Sequence, residues 1–434
     1  MNSAALKTRY SGDFAKSLEM ADQPEWLKDL RTRAFSYFEG NGFPTPENEE
    51  WKYTNVSSFA GDEWTIETDS KQEFSAFVHE ESKDNVLVFL NGRFSQELSR
   101  CEGLGDAVAL GFGDALADEK YSDILRTKLG TLIENETNGF IALNTAFIQD
   151  GAFIFLPKNT KIDPPVQLLF MTDDGSVAFP RILIVAEAFS EATFIETYSR
   201  ASESRYLTNA VIEVSLADEA KIKHFRVQRE SHEAFHIGAT GAEVEKGSVY
   251  DSTNINLGAK VSRHEIAVRF NAKGGEVFVD GLYMLGEDQH HDTHSLIDHR
   301  VPNCVSHQTY KGIVDGKAHA VFNGKIFVRE NASGTDGYQS NKNLLLSNDA
   351  RVDTKPQLEI FNDDVKCAHG ATVGQLEDEE LFYLLSRGIR ESLARNLLTY
   401  GFAEEVINKI DVESVKAKLD EAVLNRLNAQ FLSK

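Results

Sequence analysis

Cysteine is scarce in this chain: three in 434 residues, at Cys101, Cys304 and Cys367. So few thiols exclude a disulfide framework, and their odd number leaves at least one of them unpaired. Their spacing fits no self-contained zinc or iron–sulfur site, which calls for four ligands with at least one close pair. Basic residues are also short, with 45 Lys plus Arg against 68 Asp plus Glu and a net charge of −23. That balance argues against nucleic acid or an anionic membrane as the main partner. No apolar stretch approaches the ~20 residues of a membrane span. The opening MNSAALKTRYSGDFAKSLEM lacks the apolar core of a secretory signal, and its early acids disfavour a transit peptide, so the expectation is a cytoplasmic protein with reduced thiols. Four motifs are missing too: the GxxxxGK[ST] phosphate loop, GxGxxG after a strand, an HExxH helix and GxSxG. Any nucleotide hydrolysis must then belong to a partner.

What is present divides into three stretches. Residues 1–138 read as mainly helical. Asp22 and Glu25 are spaced like a capping box, Trp26, Leu27, Leu30, Ala34 and Phe38 follow at helical spacing, and Gly40 and Gly42 stop the run. In FPTPENEEWKYTN, Pro44 and Pro46 force an extended path, with Trp51 and Tyr53 available to anchor a loop. A second helical pattern, KYSDILRTKLGTLIENE, precedes Gly139.

Residues 139–374 change texture. Short β-rich runs follow one another with turn residues between them: FIALNTAF, AFIFLP, VQLLFM, RILIVAEAF, ATFIETY, NAVIEVSL, KIKHFRV, SVYDSTNINL, EIAVRF, EVFVDGLYML. Without crossover helices a doubly wound or TIM-type fold is excluded, leaving a β-solenoid, a propeller or a double sandwich. No propeller blade signature is present, and the thin alternation of AHAVFNGKIFV and ARVDTKPQLEIF points toward a solenoid without excluding a sandwich pair. Residues 375–434 return to helix. The first carries Glu377, Asp378, Glu379 and Glu380 at its start and Arg387 with Gly388 at its end, and Leu381, Leu384 and Leu385 make its stripe. Leu393, Leu397, Leu398, Phe402 and Val406 mark a second helix; Val415, Leu419, Val423, Leu427 and Phe431 mark a third. These helices either cap the open end of the β body or form a docking platform for another subunit.

Two places concentrate possible ligands. QHHDTHSLIDHRVPNCVSH carries His290, His291, Asp292, His294, Asp298, His299, Cys304 and His307. On a strand His290, Asp292 and His294 share one face, a geometry suited to a metal and equally to a polar ladder or interface. In VKCAHGATVG, Cys367 and His369 share a strand face about 7 Å apart, enough to hold part of a metal shell. A buried cysteine beside a hydrogen-bonded histidine would look the same.

The runs FNGKIFV, TDGYQSNKNLLLS, ARVDTKPQLEIFNDDVKCAHGATVG and LFYLLSRGI resemble the SufB/SufD family of iron–sulfur cluster assembly scaffolds almost continuously over residues 321–389. The KCAHG form and the EEWKYTN element resemble its SufD branch, since the equivalent SufB strand replaces KCxHG. The resemblance implies a mainly β fold: a right-handed parallel β-helix core with helical N-terminal and C-terminal regions. It implies a non-catalytic scaffold that pairs with SufB, with a possible homodimer when SufB is absent, and that binds the SufC ATPase. A transient iron–sulfur cluster would be shared with SufB, and ATP bound only by SufC. Carried over residue by residue, it makes His369 and Cys367 the metal or interface candidates at the SufB boundary. It places Leu381, Phe382, Tyr383, Arg387, Gly388 and Ile389 in the SufC-contacting helical region.

Competing readings are a metal-dependent cupin-like enzyme using the His290 to His299 region, chiefly His290, His294 and Asp298, and a β-helical lyase. A cupin also needs a PxG turn and a later histidine, which are missing, and a lyase of that type is normally secreted.

Overall fold

The computed structural model describes residues 3–19, 23–66, 70, 72–148, 150–200 and 203–432. Its body is a parallel β-solenoid of two facing sheets. One sheet runs from the hairpin Asn85–Leu90 and Arg93–Cys101, through Val166–Met171 and Glu191–Tyr198, to Thr335–Leu345 and finally Val365–Gly374. The other runs from Val108–Gly111, antiparallel on Ala152–Leu156, to His319–Val328 and finally Arg351–Ile360. Successive coils alternate between the sheets in strict register. His290 lies opposite Val261 on one side and His319 on the other, so one coil takes 29 residues here.

Alternation along each strand sends one set of side chains into the lumen and the other outward. Inward rows such as Ile266, Val268 and Phe270, or Val277, Val279 and Leu285, form the central core. At the tight corners the chain takes positive φ. At Gly316 (φ 62°) an added Cβ would lie 2.8 Å from the Glu287 backbone nitrogen, so only glycine fits.

The outward rows are covered by helices. Phe225, Val227, Ile255, Leu282 and Met284 pack under Val406, Ile407, Val415, Leu419 and Val423 of the helices Glu391–Ile407 and Glu413–Leu432. Across the molecule, Phe38 of the helix Glu25–Asn41, Phe140, Phe147, Trp51 and Phe59 pack over Leu207, Phe235 and Ile237.

Several local expectations differ from what forms. FIALNTAF, read as a β run, is the helix Gly139–Ala146, every residue of it buried, so no exposed face signalled its period. Asn138 sets its start by accepting hydrogen bonds from the Phe140 and Ile141 amides at 3.0 and 3.1 Å. The helix in KYSDILRTKLGTLIENE covers only Glu119–Lys128, since Gly130 follows at φ 76°. Asp22 lies outside the described residues, and Pro24 occupies the N-cap of the helix that Glu25 begins. Within residues 1–138, the strands between Asn85 and Gly111 join the two sheets.

The C-terminal helices lie along the outer face of one sheet and leave the last coil uncovered. The packed face of Glu391–Ile407 is Ala394, Asn396, Thr399, Ala403, Val406 and Ile407, while Leu393 and Leu397 of the expected stripe face solvent. Val415, Leu419, Val423 and Leu427 of the third helix are buried as spaced; the Phe431 side chain lies outside the described ones. No helix among the described residues is long and apolar enough to cross a membrane.

Candidate functional site at the open end of the solenoid

Val365–Gly374 and Arg351–Ile360 are the final strands of their sheets, and among the described residues nothing pairs with their outer edges. Most of Val365–Gly374 is exposed. Register places Cys367 opposite Gly337 and His369 opposite Gln339, so both side chains stand on the lumen-facing row. Cys367 packs against the small cluster of Ile326, Val328 and Ala332, and burial pushes its thiol pKa up. Glycine at 337 makes room for it, since a Cβ there would come within 3.2 Å of Sγ. His369 is exposed because no further coil stacks on it.

Beneath His369 the same column continues inward through Gln339 and Gln308. Gln339 is fully buried, with neither end of its amide hydrogen-bonded. Gln308 accepts from the Ser295 hydroxyl at 2.7 Å but leaves its Nε2 unpartnered. This column of the lumen is therefore polar, beside the apolar cluster under Cys367, and sequence reasoning missed it because two glutamines 31 residues apart carry no local signal. Among the described residues no three His, Cys, Asp or Glu side chains come together closely enough to hold a metal. Cys367 and His369 alone can supply only part of a coordination shell.

The histidine-rich strand His290–His299 does something different. His290, Asp292 and His294 share its outer face, as alternation requires, but they meet protein groups. His290 Nε2 lies 2.9 Å from the Thr54 hydroxyl, which donates to Asp292 at 2.5 Å. Arg263, 1% exposed, donates to Asp292 at 2.5 Å and to the Glu50 carbonyl at 2.8 Å, with its guanidinium 3.9 Å from the Trp51 ring centre. Burial alone would raise the Asp292 carboxyl, yet Arg263 and then His294 hold it far below the usual range. Burial opposes a charge on His294 as well, and Asp292 and Glu50 at 3.1 and 3.4 Å outweigh it, so its pKa is raised. This ion-pair network rivets the EEWKYTN loop to the outer face of the sheet. His291 and His299 point into the lumen toward Ser262 and Ser306, Asp298 pairs with Arg300 and Arg329, Cys304 is in the core, and His307 lies 3.6 Å from Asp336.

The cupin-like alternative does not survive. The strand of His290, His294 and Asp298 is a parallel member of a solenoid sheet, not of an antiparallel barrel, and these side chains are taken up by Thr54, by Asp292 with Glu50, and by Arg300 with Arg329.

On the C-terminal helix Asp378–Ser386, Phe382 is 71% and Tyr383 55% exposed, with Arg387 stacked 3.8 Å over the tyrosine ring. Gly388 takes φ 81° in the turn, and the Ile389 amide donates to the Leu384 carbonyl at 3.3 Å. Leu381 is buried in the helical layer. Leu385, Leu393 and Leu397 are exposed as well, so these two helices present hydrophobic side chains to solvent.

A parallel solenoid with helical flanks is the class of fold this chain defines, and the sequence comparisons give that class its identity. Residues 169–402 match the SUF system FeS cluster assembly SufBD core domain, and residues 5–168 match the SufBD N-terminal region. The chain belongs to the SufBD family of iron–sulfur cluster assembly proteins. A SufBD family protein of Synechocystis is 36% identical over 397 residues, covering 88% of this chain and 86% of the relative. The iron–sulfur cluster assembly protein SufD of Escherichia coli is 32% identical, covering 89% of this chain and 90% of its own. SufD of Bacillus subtilis is 28% identical, covering 95% and 98%.

Proposed function

We propose that this chain is the SufD-type scaffold of a SUF complex, itself non-catalytic, that pairs end-on with SufB through the open end of its solenoid. The observation that carries this reading is the unpaired final coil. Long exposed edges such as Arg351–Ile360 and Val365–Gly374 are pairing templates that monomeric proteins normally cover. A second solenoid stacked there would continue both sheets and enclose His369. The cluster is cargo here, held transiently by His369 and Cys367 together with ligands from SufB. SufC docks on the helical layer through Phe382 and Tyr383 and is the subunit that binds ATP. A cytoplasmic setting suits this assembly, and a homodimer through the same edges is the form expected without SufB.

The test is the iron and sulfide content of the complex purified without oxygen. His369→Ala should leave folding and SufB pairing intact while cluster loading falls, because one donor of an incomplete shell is lost to water. Full loading with His369→Ala would overturn the metal role, and undiminished pairing after charged substitutions along Val365–Gly374 would overturn the end-on geometry.

A further inference from the structure

A cavity of about 310 Å³ opens where distant stretches of chain meet: residues 76–79, the ends of two adjacent strands at 197–200 and 227–229, and residues 415–419 of the helix Glu413–Leu432. Four strands of the same sheet separate it from the strand of His369. In a chain of net charge −23, this cavity is lined by Arg200, Arg229, Lys418 and His79. Arg200 pairs with Glu203, but Arg229 and Lys418 have no carboxylate at ion-pair distance among the described residues. Glu421 acts on Arg229 from beyond that distance, and Glu81, the acid that acts on both His79 and Lys418, already accepts hydrogen bonds from the Ser414 amide and hydroxyl.

Lys418 and His79 also feel neighbouring cations. Burial and then Arg229 lower the Lys418 pKa, and burial and then Lys418 hold His79 at about 4. His79 is 4% exposed; its Nδ1 lies 3.4 Å from the Ser414 hydroxyl, and its buried Nε2 has no partner. An unpartnered buried ring nitrogen beside mutually repelling cations is costly unless something completes it. The Thr197 and Ser199 hydroxyls add donors, while Phe77, Val227, Val415 and Leu419 give the cavity apolar walls.

We propose that this cavity binds a phosphate-type oxyanion, a phosphomonoester with a compact organic body, seated by Arg229 and Lys418 with His79 Nε2 as a buried third contact. A tetrahedral oxyanion has acceptors for several donors at once, and each charge-assisted contact is stronger than a neutral one. His79 donates from Nε2 once the ring carries a proton there, so the bound anion draws a proton onto the ring. The apolar walls account for an organic body, which a site for free phosphate would not need. The overall negative field repels anions, so affinity must come from this local cluster and weaken with salt.

The experiment is calorimetric titration of the full chain with inorganic phosphate and with ribose 5-phosphate, beside thermal melts in sodium chloride of matched ionic strength. Saturable binding of either phosphate is expected, tighter for the ester. Arg229→Ala and Lys418→Ala should each weaken it about tenfold or more while the unliganded circular dichroism spectrum stays unchanged. Equal affinity for the two probes would keep the oxyanion site and overturn the organic body. Heats and melts that follow ionic strength alone, or folded variants that bind phosphate as tightly as the unmodified chain, would overturn the site itself.

Discussion

Replacing Arg263 by Met should destabilise the N-terminal loop and the solenoid together. Arg263 and Asp292 are both 1% exposed, and the same guanidinium also holds the Glu50 carbonyl, Glu265 and the face of Trp51. Removing it leaves the Asp292 carboxylate buried with only Thr54 and His294 beside it. Breaking one side of a buried pair typically costs ~3–5 kcal/mol, most of it the penalty of the charge left behind. With an unfolding entropy of about 2.1 cal/mol/K per residue, ~4 kcal/mol corresponds to a Tm lowered by roughly 4–5 °C across a chain of this length. The assay is denaturant unfolding paired with limited proteolysis of residues 43–56, which should become the first site cut. The double variant Arg263→Met with Asp292→Leu removes both charges and should recover much of the loss. A double variant no more stable than Arg263→Met alone would refute the charge argument and leave lost packing on Trp51 as the cause.

Stability should fall with acid. Burial lowers His290 and His299 to about 4 and His291 to about 3, so each folded pKa lies below its unfolded value. Their contribution is fully present above pH ~6.5 and lost as pH drops toward about 4, which urea midpoints measured across that window would show. His294 has the opposite sign: its raised pKa contributes below pH ~6.5 and is lost as pH rises through the folded value, so cleavage of residues 43–56 should quicken at alkaline pH and respond little in Glu50→Gln. If SufC docks as proposed, Phe382→Ala and Tyr383→Ala should each weaken that binding by ~2 kcal/mol, about thirtyfold, with little change in melting temperature, whereas Leu381→Ala should lower the melting temperature; unchanged affinity in both variants would overturn the proposed docking. Gly316→Ala should destabilise the chain measurably in denaturant titration, because the residue needs positive φ and has no space for a methyl group beside Glu287.

Much of the architecture was legible because a solenoid repeats local rules. Alternation within each run, such as SVYDSTNINL or EIAVRF, decides which side chains line the lumen before any long-range contact forms. The terminal helices were visible for the same reason, through apolar spacing and, at Asp378–Ser386, a run of acids followed by Arg387 and Gly388. FIALNTAF was not legible, since a segment buried on every side shows no period, and its Asn138 cap acts only once the helix has formed.

The candidate site divides along the same line. Sequence alone established that Cys367 and His369 share a face and that His290, Asp292 and His294 share another. Only tertiary structure decided what those faces meet. Arg263 and Thr54, brought from other coils and from the N-terminal loop, turn the apparent ligand set of His290, Asp292 and His294 into a buried ion-pair lock. The end of the stack leaves His369 open while its neighbours in the column, Gln339 and Gln308, are sealed beneath it. Periodicity reports which way a side chain points, because that depends on backbone geometry within a few residues. It carries no information on what stands opposite, because that depends on coil stacking between residues tens to hundreds of positions apart.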